Sequence, residues 1–234
     1  MLYLIATPIG NLSDMSLRGI EVLKNVDIIA CEDTRRTRGL LTHFGIKYPM
    51  AMVSYHEHNE ENAGKRLLEY LKKDLNVAFC SDGGYPAVSD PGYRLVKLAI
   101  ENNIKIEIIP GPSAVLMGIV LSGLPTSSFT FKGYPPRRHG PLHRFFEDEK
   151  NMPHTLIFFE SPHRIKQTIE VALMVLGNRY AALCVEMTKK FERVIRGNLA
   201  LILDICKENR IQGEITVVIA GNNPKFMDKA ESAY

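Results

Sequence analysis

The first half of this chain alternates short apolar runs with amphipathic segments of helix length, and this alternation restricts the possible folds more than any other feature. The apolar runs that we predict as strands are Leu2–Ala6, Val26–Cys31, Met52–Ser54, Val77–Ser81 and Ile104–Ile109. The segments predicted as helices are Ser16–Asn25, Arg35–Phe44, Glu60–Lys73, Tyr93–Asn102 and Ser113–Leu121. Strands joined by helical crossovers run parallel, so we expect an α/β fold whose mostly parallel sheet is covered on both faces.

The character of the sequence changes at the polar, proline-containing connection around residues 124–128. We therefore predict two α/β domains, residues 1–124 and 125–234. In the second domain the predicted strands are Phe129–Lys132, Thr155–Glu160, Ala181–Glu186, Arg193–Arg196 and Glu214–Ala220, and the predicted helices are Leu142–Lys150, Arg164–Leu176 and Leu199–Asn209. The short link before Arg193 leaves no room for a helix, so its two strands should form an antiparallel hairpin in a mixed sheet. The polar segment Asn222–Tyr234 is expected to fray.

The composition excludes several classes of protein. Apolar residues make up 45% and charged residues 24% of the chain, which argues against disorder. The longest apolar stretch, Ala114–Leu121, is much shorter than the roughly 20 residues that span a bilayer, and Met1–Ala6 lacks the basic leader of a signal peptide. The four cysteines form no CxxC pair and no zinc-ligand spacing. We expect a cytoplasmic protein with no metal, no disulfide framework and no membrane partner.

Three loops that follow predicted strands, residues 7–12, 81–92 and 110–114, are rich in Gly, Pro, Ser and Asp. Ligands of open α/β sheets bind beyond the carboxyl ends of the strands, and glycine lets the backbone approach them closely. A tight turn accounts for any one of these loops, but three in one domain favour a small-molecule site. The chain has no GxGxxG and no GxSxG motif, and Leu124 replaces the lysine that a P-loop would need. These absences disfavour NAD, ATP and esterase sites and leave the ligand open.

A set of motifs carries a family resemblance over nearly the whole chain, from Leu2 to about Gly221. The motifs are Ala6–Leu12, Glu32–Thr37, Ser54–Glu60, Ser89–Arg94, Pro110–Ala114, Glu160–Arg164 and Arg196–Gly197. In this order they resemble the branch of the tetrapyrrole methylase superfamily that acts on ribosomal RNA. The resemblance implies a homodimer of two-domain α/β chains that bind S-adenosylmethionine in the cleft between domains. It also implies methylation of a cytidine ribose 2′-hydroxyl in the decoding region of 16S rRNA, as RNA or within the small ribosomal subunit.

The same resemblance implies a set of cofactor-binding residues. They are Pro8, Asp82, Gly84, Val88, Ser113 and Ala114 in the first domain, with Phe159, Met187 and Thr216 in the second. For Met187, ordinary core packing is an equally good interpretation. This chain departs from the family's usual second loop at Gly83, Tyr85, Ala87 and Val88. The bulky Tyr85 replaces a small hydroxyl residue, and it either closes the cofactor pocket differently or points outward.

Catalysis needs a group that accepts the proton of the ribose hydroxyl, which is a weak acid. The candidates are Glu32, Asp33, His56, Glu57 and Glu186, of which we favour Glu32 because it lies at the end of a predicted strand. Helix capping is the competing role for Asp33. Lys189 is the second residue that we assign to catalysis. His56 and His58 flank Glu57 without a clear third ligand, so we predict no metal site there.

Basic residues cluster in three groups, around residues 35–38, 132–144 and 189–196. Lysine and arginine bind RNA phosphates, and unpaired bases stack on aromatic or guanidinium planes. The residues that we predict to bind RNA are Arg35, Arg36, Tyr55, His56, Arg137, Arg138 and Arg164. Solvated surface charge is the alternative for each cluster, and a structural ion pair is the alternative for Arg164.

Two other functions remain open at this stage. The fold also serves C-methyltransferases of tetrapyrroles, whose carboxylates the basic loop Lys132–Arg144 could hold in place of phosphates. A non-catalytic RNA-binding protein that lost its cofactor affinity through Tyr85 is the second alternative.

Overall fold

The computed structural model describes residues 1–226, so residues 227–234 of the polar C-terminal segment lie outside the described part. Its internal contacts divide the chain into two compact units, Met1–Ser113 and a second unit that begins at Ala114. The boundary predicted after Leu124 lies one helix further along the chain. The helix in question groups with the second unit because Val115 and Ile119 pack against Ile157 and Val218.

The first unit is a three-layer α/β structure. Its elements are β1 (Leu2–Ile5), α1 (Leu17–Asn25), β2 (Ile28–Cys31), α2 (Thr34–His43), β3 (Ala51–Ser54), α3 (Glu60–Lys72), β4 (Val77–Cys80), α4 (Tyr93–Glu101) and β5 (Ile106–Ile109). Within residues 1–113 the strand order is β3-β2-β4-β1-β5, and all neighbouring strands are parallel. The predicted parallel sheet is confirmed.

Burial on both faces explains why the strands are almost wholly apolar. Along β2, Ile28 faces one core, which also contains residues of α3 and α4. Its neighbour Ile29 faces the opposite core, which contains residues of α1 and α2. Successive side chains of a strand point to opposite faces, so a sheet between two helix layers needs apolar residues at consecutive positions.

Side-chain caps fix where two helices of this unit begin. The Ser16 hydroxyl accepts a hydrogen bond from the Gly19 amide at the start of α1. A carboxylate oxygen of Asp33 accepts one from the Arg35 amide at the start of α2. Each cap satisfies a backbone donor that has no partner inside the helix. Asp33 therefore has the capping role that the sequence left open.

The second unit contains a mixed sheet. Its elements are α5 (Ala114–Ser122), β6 (Phe129–Phe131), α6 (His139–Glu147), β7 (Thr155–Glu160), α7 (Ile165–Leu176), β8 (Tyr180–Val185), β9 (Arg193–Asn198), α8 (Leu199–Glu208) and β10 (Ile215–Ile219). In the described chain the strand order is β6-β7-β10-β8-β9. The β6–β7 pair is parallel, and the other pairs are antiparallel. The predicted hairpin is β8–β9, and the predicted α/β class with a mixed second sheet is confirmed.

The start of α6 differs from the sequence prediction. The helix begins at His139 and includes Gly140 and Pro141, whereas we predicted a start at Leu142. Proline is compatible with the first turn of a helix because the amides there have no intrahelical partner. The basic segment that ends at Arg138 therefore leads directly into a helix N-terminus. No helix in the described part of the chain is long and apolar enough to cross a membrane.

Candidate active site

A cavity of about 250 Å³ lies at the carboxyl ends of β1 and β4. Its walls come from the loop after β1, from α2 and from the loop after β4. The lining residues are Thr7, Pro8, Leu12, Arg36, Thr37, Gly39, Leu40, Cys80, Ser81 and Asp82. Three residues that the sequence singled out, Pro8, Arg36 and Asp82, thus come together at the edge where open α/β sheets bind ligands.

Hydrogen bonds join the first two glycine-rich loops. The backbones of Thr7 and Gly84 exchange two hydrogen bonds, each 2.9 Å long. The Thr7 hydroxyl donates to the Ser81 carbonyl oxygen at 3.1 Å, and the Ser81 hydroxyl donates to the Gly84 carbonyl oxygen at 3.1 Å. These bonds hold the cavity walls in place before any ligand binds, which lowers the entropy lost on binding.

Tyr85 joins the second loop to the third. Its hydroxyl oxygen accepts a hydrogen bond of 3.3 Å from the backbone amide of Gly111. At Gly111 a side chain would not fit, because a Cβ there would lie 2.9 Å from the Ala6 carbonyl oxygen. The phenol at this unusual position therefore connects two loops of the site.

The remainder of the second loop contains several left-handed backbone conformations. Ala87 has a φ of 69°, Ser89 has a φ of 61° and Gly92 has a φ of 132°. Such conformations are costly for residues other than glycine and persist only where the surroundings enforce them. Val88, predicted to bind the cofactor, is 46% exposed at the outer part of this loop.

Two carboxylate residues, Glu32 after β2 and Asp82 after β4, form a pair at this edge of the sheet. Burial raises the pKa of Glu32, and the negative charge of Asp82 raises it further. Asp82 itself accepts the Asp33 amide at 3.1 Å and lies 3.4 Å from the Arg36 guanidinium. Hydrogen bonds from the Arg35 side chain, which have the larger effect, and from the Arg35 backbone amide lower the pKa of Asp33 to about 2. Between Glu32 and Asp33, Glu32 is thus the one whose environment favours taking up a proton.

Tyr55 is not available to RNA, which corrects the sequence prediction. Its side chain is 0% exposed, and its ring packs edge-on against Phe79 at a centroid distance of 5.1 Å. The alternation of side chains along an extended segment directs this ring into the core. Its neighbour His56 is partly exposed and lies after β3 in a loop that the Asn59 side chain holds through the His56 amide and the Ser54 carbonyl.

The remaining predicted cofactor residues fall in several places. Ser113 is the last residue of the first unit, and Ala114 is the first residue of α5; both are half-buried. Thr216 and Phe159 are direct partners on β10 and β7. Thr216 is buried against Gly118 of α5, where a Cβ would lie 2.7 Å from the threonine methyl group. Met187 is also buried, as the core-packing interpretation expects.

Lys189 lies in the loop between β8 and β9 and contacts two carboxylates. Its ammonium group is 2.9 Å from Glu186 and 3.1 Å from Glu214. Burial by itself would lower the pKa of Lys189, but the hydrogen bonds to these carboxylates outweigh that effect and raise it. Lys189 is therefore a fixed cation and is unsuited to accept a proton.

Arg164 forms hydrogen bonds with the backbone of the basic loop Lys132–Arg144. Its guanidinium donates to the carbonyl oxygens of Pro135 and Pro136 at 3.1 and 2.8 Å and lies 3.4 Å from the buried Glu160 carboxylate. Only 21% of its side chain is exposed. The predicted RNA contact through Arg164 is therefore corrected in favour of the ion-pair alternative. Arg137 and Arg138, which follow the two prolines, are exposed, as are Arg35 and Arg36 on the first unit.

The sequence prediction missed the two hydroxyl residues that join the loops, Thr7 and Ser81. A usable signal was present in the sequence, because each is a hydroxyl residue within two positions of the end of an apolar strand, and the structure buries both. A buried hydroxyl needs a hydrogen-bond partner, so its position at a strand end predicts a bond to a neighbouring loop.

Comparison with known proteins assigns the family. Residues 1–202 match the family model described as Tetrapyrrole (Corrin/Porphyrin) Methylases. A relative from Halalkalibacterium halodurans, named ribosomal RNA small subunit methyltransferase I, is 47% identical over 96% of this chain and 77% of its own length. The relative of the same name from Bacillus subtilis is 40% identical over 99% of this chain and 78% of its own length.

Solved structures with much lower identity share the fold. Diphthine synthase has a TM-score of 0.69 at 19% identity and covers 94% of this chain and 89% of its own. Uroporphyrin-III-C-methyltransferase from Thermus thermophilus has a TM-score of 0.64 at 19% identity, with 93% of each chain covered. The matched family model and the sequence relatives show that this chain belongs to the tetrapyrrole methylase family, in the group of the ribosomal RNA small subunit methyltransferase I proteins.

Proposed function

We propose that this protein transfers a methyl group from S-adenosylmethionine to the ribose 2′-hydroxyl of a cytidine in the decoding region of 16S rRNA. The observation that carries the proposal is the 40–47% identity, over nearly the whole chain, to proteins named ribosomal RNA small subunit methyltransferase I. The tetrapyrrole enzymes among the solved structures are only 15–19% identical, so they support the fold and not their own substrates.

The cavity in the first unit fits a cofactor that is partly apolar and partly polar. Leu12, Leu40 and Pro8 offer apolar walls, and Arg36 and Asp82 offer polar side chains. S-adenosylmethionine supplies an electrophilic methyl group on a positively charged sulfur. Asp82 adds a negative charge to the same wall, and the close contact of Gly111 with Ala6 keeps the third loop near the first. We assign cofactor binding to this wall, together with the residues that the family resemblance implies.

Glu32 is the proposed proton acceptor for the ribose hydroxyl. Because its pKa is raised, Glu32 is a stronger base than an ordinary carboxylate, as a general base near neutral pH requires. Arg36, which lies 3.4 Å from Asp82 and lines the cavity, can bind a phosphate next to the acceptor ribose. We assign the binding of further phosphates to the exposed Arg35 in the first unit and to the exposed Arg137 and Arg138 in the second. Lys189 supplies a fixed positive charge.

The proposed substrate is 16S rRNA, either free or within the small ribosomal subunit, and the proposed site of action is the cytoplasm. Homodimerisation is also part of the proposal. It is supported by the apolar sequence of α5, a helix that buries Val115 and Ile119 but leaves Val120 70% exposed. Exposed apolar helix surface of this kind favours association between chains.

Methyl transfer to unmodified small ribosomal subunits tests the proposal directly. Subunits and labelled S-adenosylmethionine are incubated with the protein, and nuclease fragments are mapped by mass. We expect the wild-type protein to produce one labelled 2′-O-methylcytidine. Glu32→Gln should bind the cofactor with wild-type affinity but turn over much more slowly. Uroporphyrinogen serves as the control substrate. Label on uroporphyrinogen and none on RNA would contradict the proposal, and absence of cofactor binding by calorimetry would favour a binding-only protein.

A further inference from the structure

The loop between β8 and β9, residues 186–192, presents a phenylalanine to solvent. Phe191 is 74% exposed, whereas the other exposed phenylalanine in residues 1–226, Phe129, is 36% exposed. Single exposed apolar residues are common on protein surfaces. The surroundings of Phe191 distinguish it from that background.

The backbone of this loop is held rigid. Glu186 and Thr188 have φ values of 53° and 64°, which is the left-handed region. The Lys189 amide donates to the Glu186 carbonyl oxygen at 3.0 Å, and the Glu192 amide donates to the Lys189 carbonyl oxygen at 3.1 Å. The Thr188 amide donates to the Glu192 carboxylate. An aromatic ring on a rigid loop loses little entropy when it binds a ligand.

A second contact anchors the base of the loop. The Glu186 carboxylate accepts hydrogen bonds from the Lys189 ammonium at 2.9 Å and from the Glu214 amide at 2.8 Å. Gly213 packs against the Glu186 side chain so closely that a Cβ there would collide with it. The loop that carries Phe191 is therefore fixed both at the end of β8 and at the segment before β10.

Lys190 and Arg193, basic residues within two positions of Phe191 in the sequence, can bind an anionic ligand. In this loop, Glu186 forms an ion pair with Lys189, which also pairs with Glu214 outside the loop. Glu192 keeps its negative charge and accepts a backbone hydrogen bond. The Lys190 ammonium lies 5.7 Å from the centroid of the Phe191 ring. Neither Lys190 nor Arg193 takes part in an ion pair within residues 1–226, and both are exposed.

We propose that Phe191 stacks on an unpaired base of the RNA substrate while Lys190 and Arg193 bind the adjoining phosphates. Recognition of single-stranded nucleic acid combines these two elements, since every base has a face that can stack on an aromatic ring. The inference rests on the proposed function for its ligand, because the RNA supplies both the base and the phosphates.

The absence of tryptophan from this sequence allows a direct test. Phe191→Trp places the only tryptophan of the chain in this loop, where it can be excited apart from the nine tyrosines, and stacking of a base on the indole quenches its emission. We expect quenching on titration with unmodified small ribosomal subunits. The matched control is Met174→Trp on α7, where the natural side chain is 66% exposed, and we expect no quenching there.

Affinity measurements separate stacking from charge. Phe191→Ala should weaken subunit binding about 5- to 100-fold without changing the salt dependence, and Phe191→Trp should restore the affinity. Lys190→Ala should weaken the salt dependence: the negative slope of log affinity against log salt should decrease in magnitude by about 0.7. Unchanged affinity in Phe191→Ala, or equal quenching at both tryptophan positions, would overturn the proposal. A change of oligomeric state in Phe191→Ala would overturn it in favour of contact with a second copy.

The methyl-transfer assay separates failure of this inference from failure of the proposed function. If wild-type protein methylates subunits and Phe191→Ala binds them equally well, the stacking role is wrong and the function stands. If wild-type protein binds subunits through Phe191 without methylating any of them, the function is wrong and the stacking role stands.

Discussion

Arg164→Ala should destabilise the second unit strongly, although the residue lies outside the main hydrophobic core. The substitution removes two charged hydrogen bonds to the carbonyls of Pro135 and Pro136. It also leaves the Glu160 carboxylate, whose side chain is 0% exposed, without its cation. Breaking a buried ion pair on one side costs about 3–5 kcal/mol. Because a fifth of the Arg164 side chain is exposed, we expect about 3 kcal/mol, at the lower end of that range.

Urea unfolding of the variant and its controls measures this loss. Arg137→Ala, at an exposed position in the same loop, should change the free energy of unfolding by less than about 0.5 kcal/mol. Glu160→Gln removes the buried charge and keeps one oxygen that can accept from the Ser161 amide. Its NH2 group replaces the oxygen that accepts from the Thr168 hydroxyl, and it can instead donate to that hydroxyl. Adding Glu160→Gln to Arg164→Ala should therefore recover part of the lost stability.

RNA affinity provides the second measurement. If Arg164 positions the basic loop, Arg164→Ala should weaken RNA binding much less in an Arg137→Ala, Arg138→Ala background than in the wild type. Additive losses would instead indicate that Arg164 contacts RNA itself. A stability loss below about 1 kcal/mol, the value of one ordinary hydrogen bond, would refute the reasoning from the buried ion pair.

Three further predictions concern the first unit. Ala87→Gly should stabilise the protein by about 1 kcal/mol, since alanine is strained at a φ of 69°. As a control, Ala200→Gly in α8 should destabilise the protein by about 1 kcal/mol. Thermal unfolding measures both changes, and equal effects would contradict the strain argument. Tyr85→Phe removes the acceptor for the Gly111 amide, so hydrogen exchange at that amide should accelerate while exchange at the Gly84 amide, bonded to Thr7, stays unchanged. Burial raises the pKa of Glu32 in the folded state, so the folded protein binds more protons just above pH 4.5 and its stability should fall as the pH rises through that window. Glu32→Gln should remove this fall in pH-dependent unfolding, and an unchanged profile would exclude Glu32 as its source.

The fold class follows from local features of the sequence. Consecutive apolar residues such as Ile28 and Ile29 indicate a strand buried on both faces, and helix-length segments between such strands require parallel crossovers. The β8–β9 hairpin was predictable for the same reason, since its link is too short for a helix. The start of α6 was not, because Gly140 and Pro141 suggest a break although proline is tolerated in a first turn.

The site was predictable only in part. Strand ends and glycine-rich loops indicated the two loops that contain Pro8 and Asp82, because the carboxyl ends of parallel strands share one edge. The family resemblance implied these two residues themselves. The sequence did not reveal that Tyr85 bonds to Gly111, because the partner is 26 residues away and both belong to irregular loops. The exposure of Phe191 was likewise hidden, since the sequence places it among charged residues without showing which way it points.

The amino-acid sequence by itself determined which segments become strands and helices and which loops meet at the sheet edge, because these depend on local periodicity and on the geometry of parallel sheets. Tertiary structure alone decided the roles of individual polar side chains. Arg164 faces inward because a buried carboxylate and two proline carbonyls need its guanidinium, and Tyr55 is buried because its ring fills the core beside Phe79. Hydrogen-bond partners and burial depend on residues distant in sequence, and no local pattern encodes them.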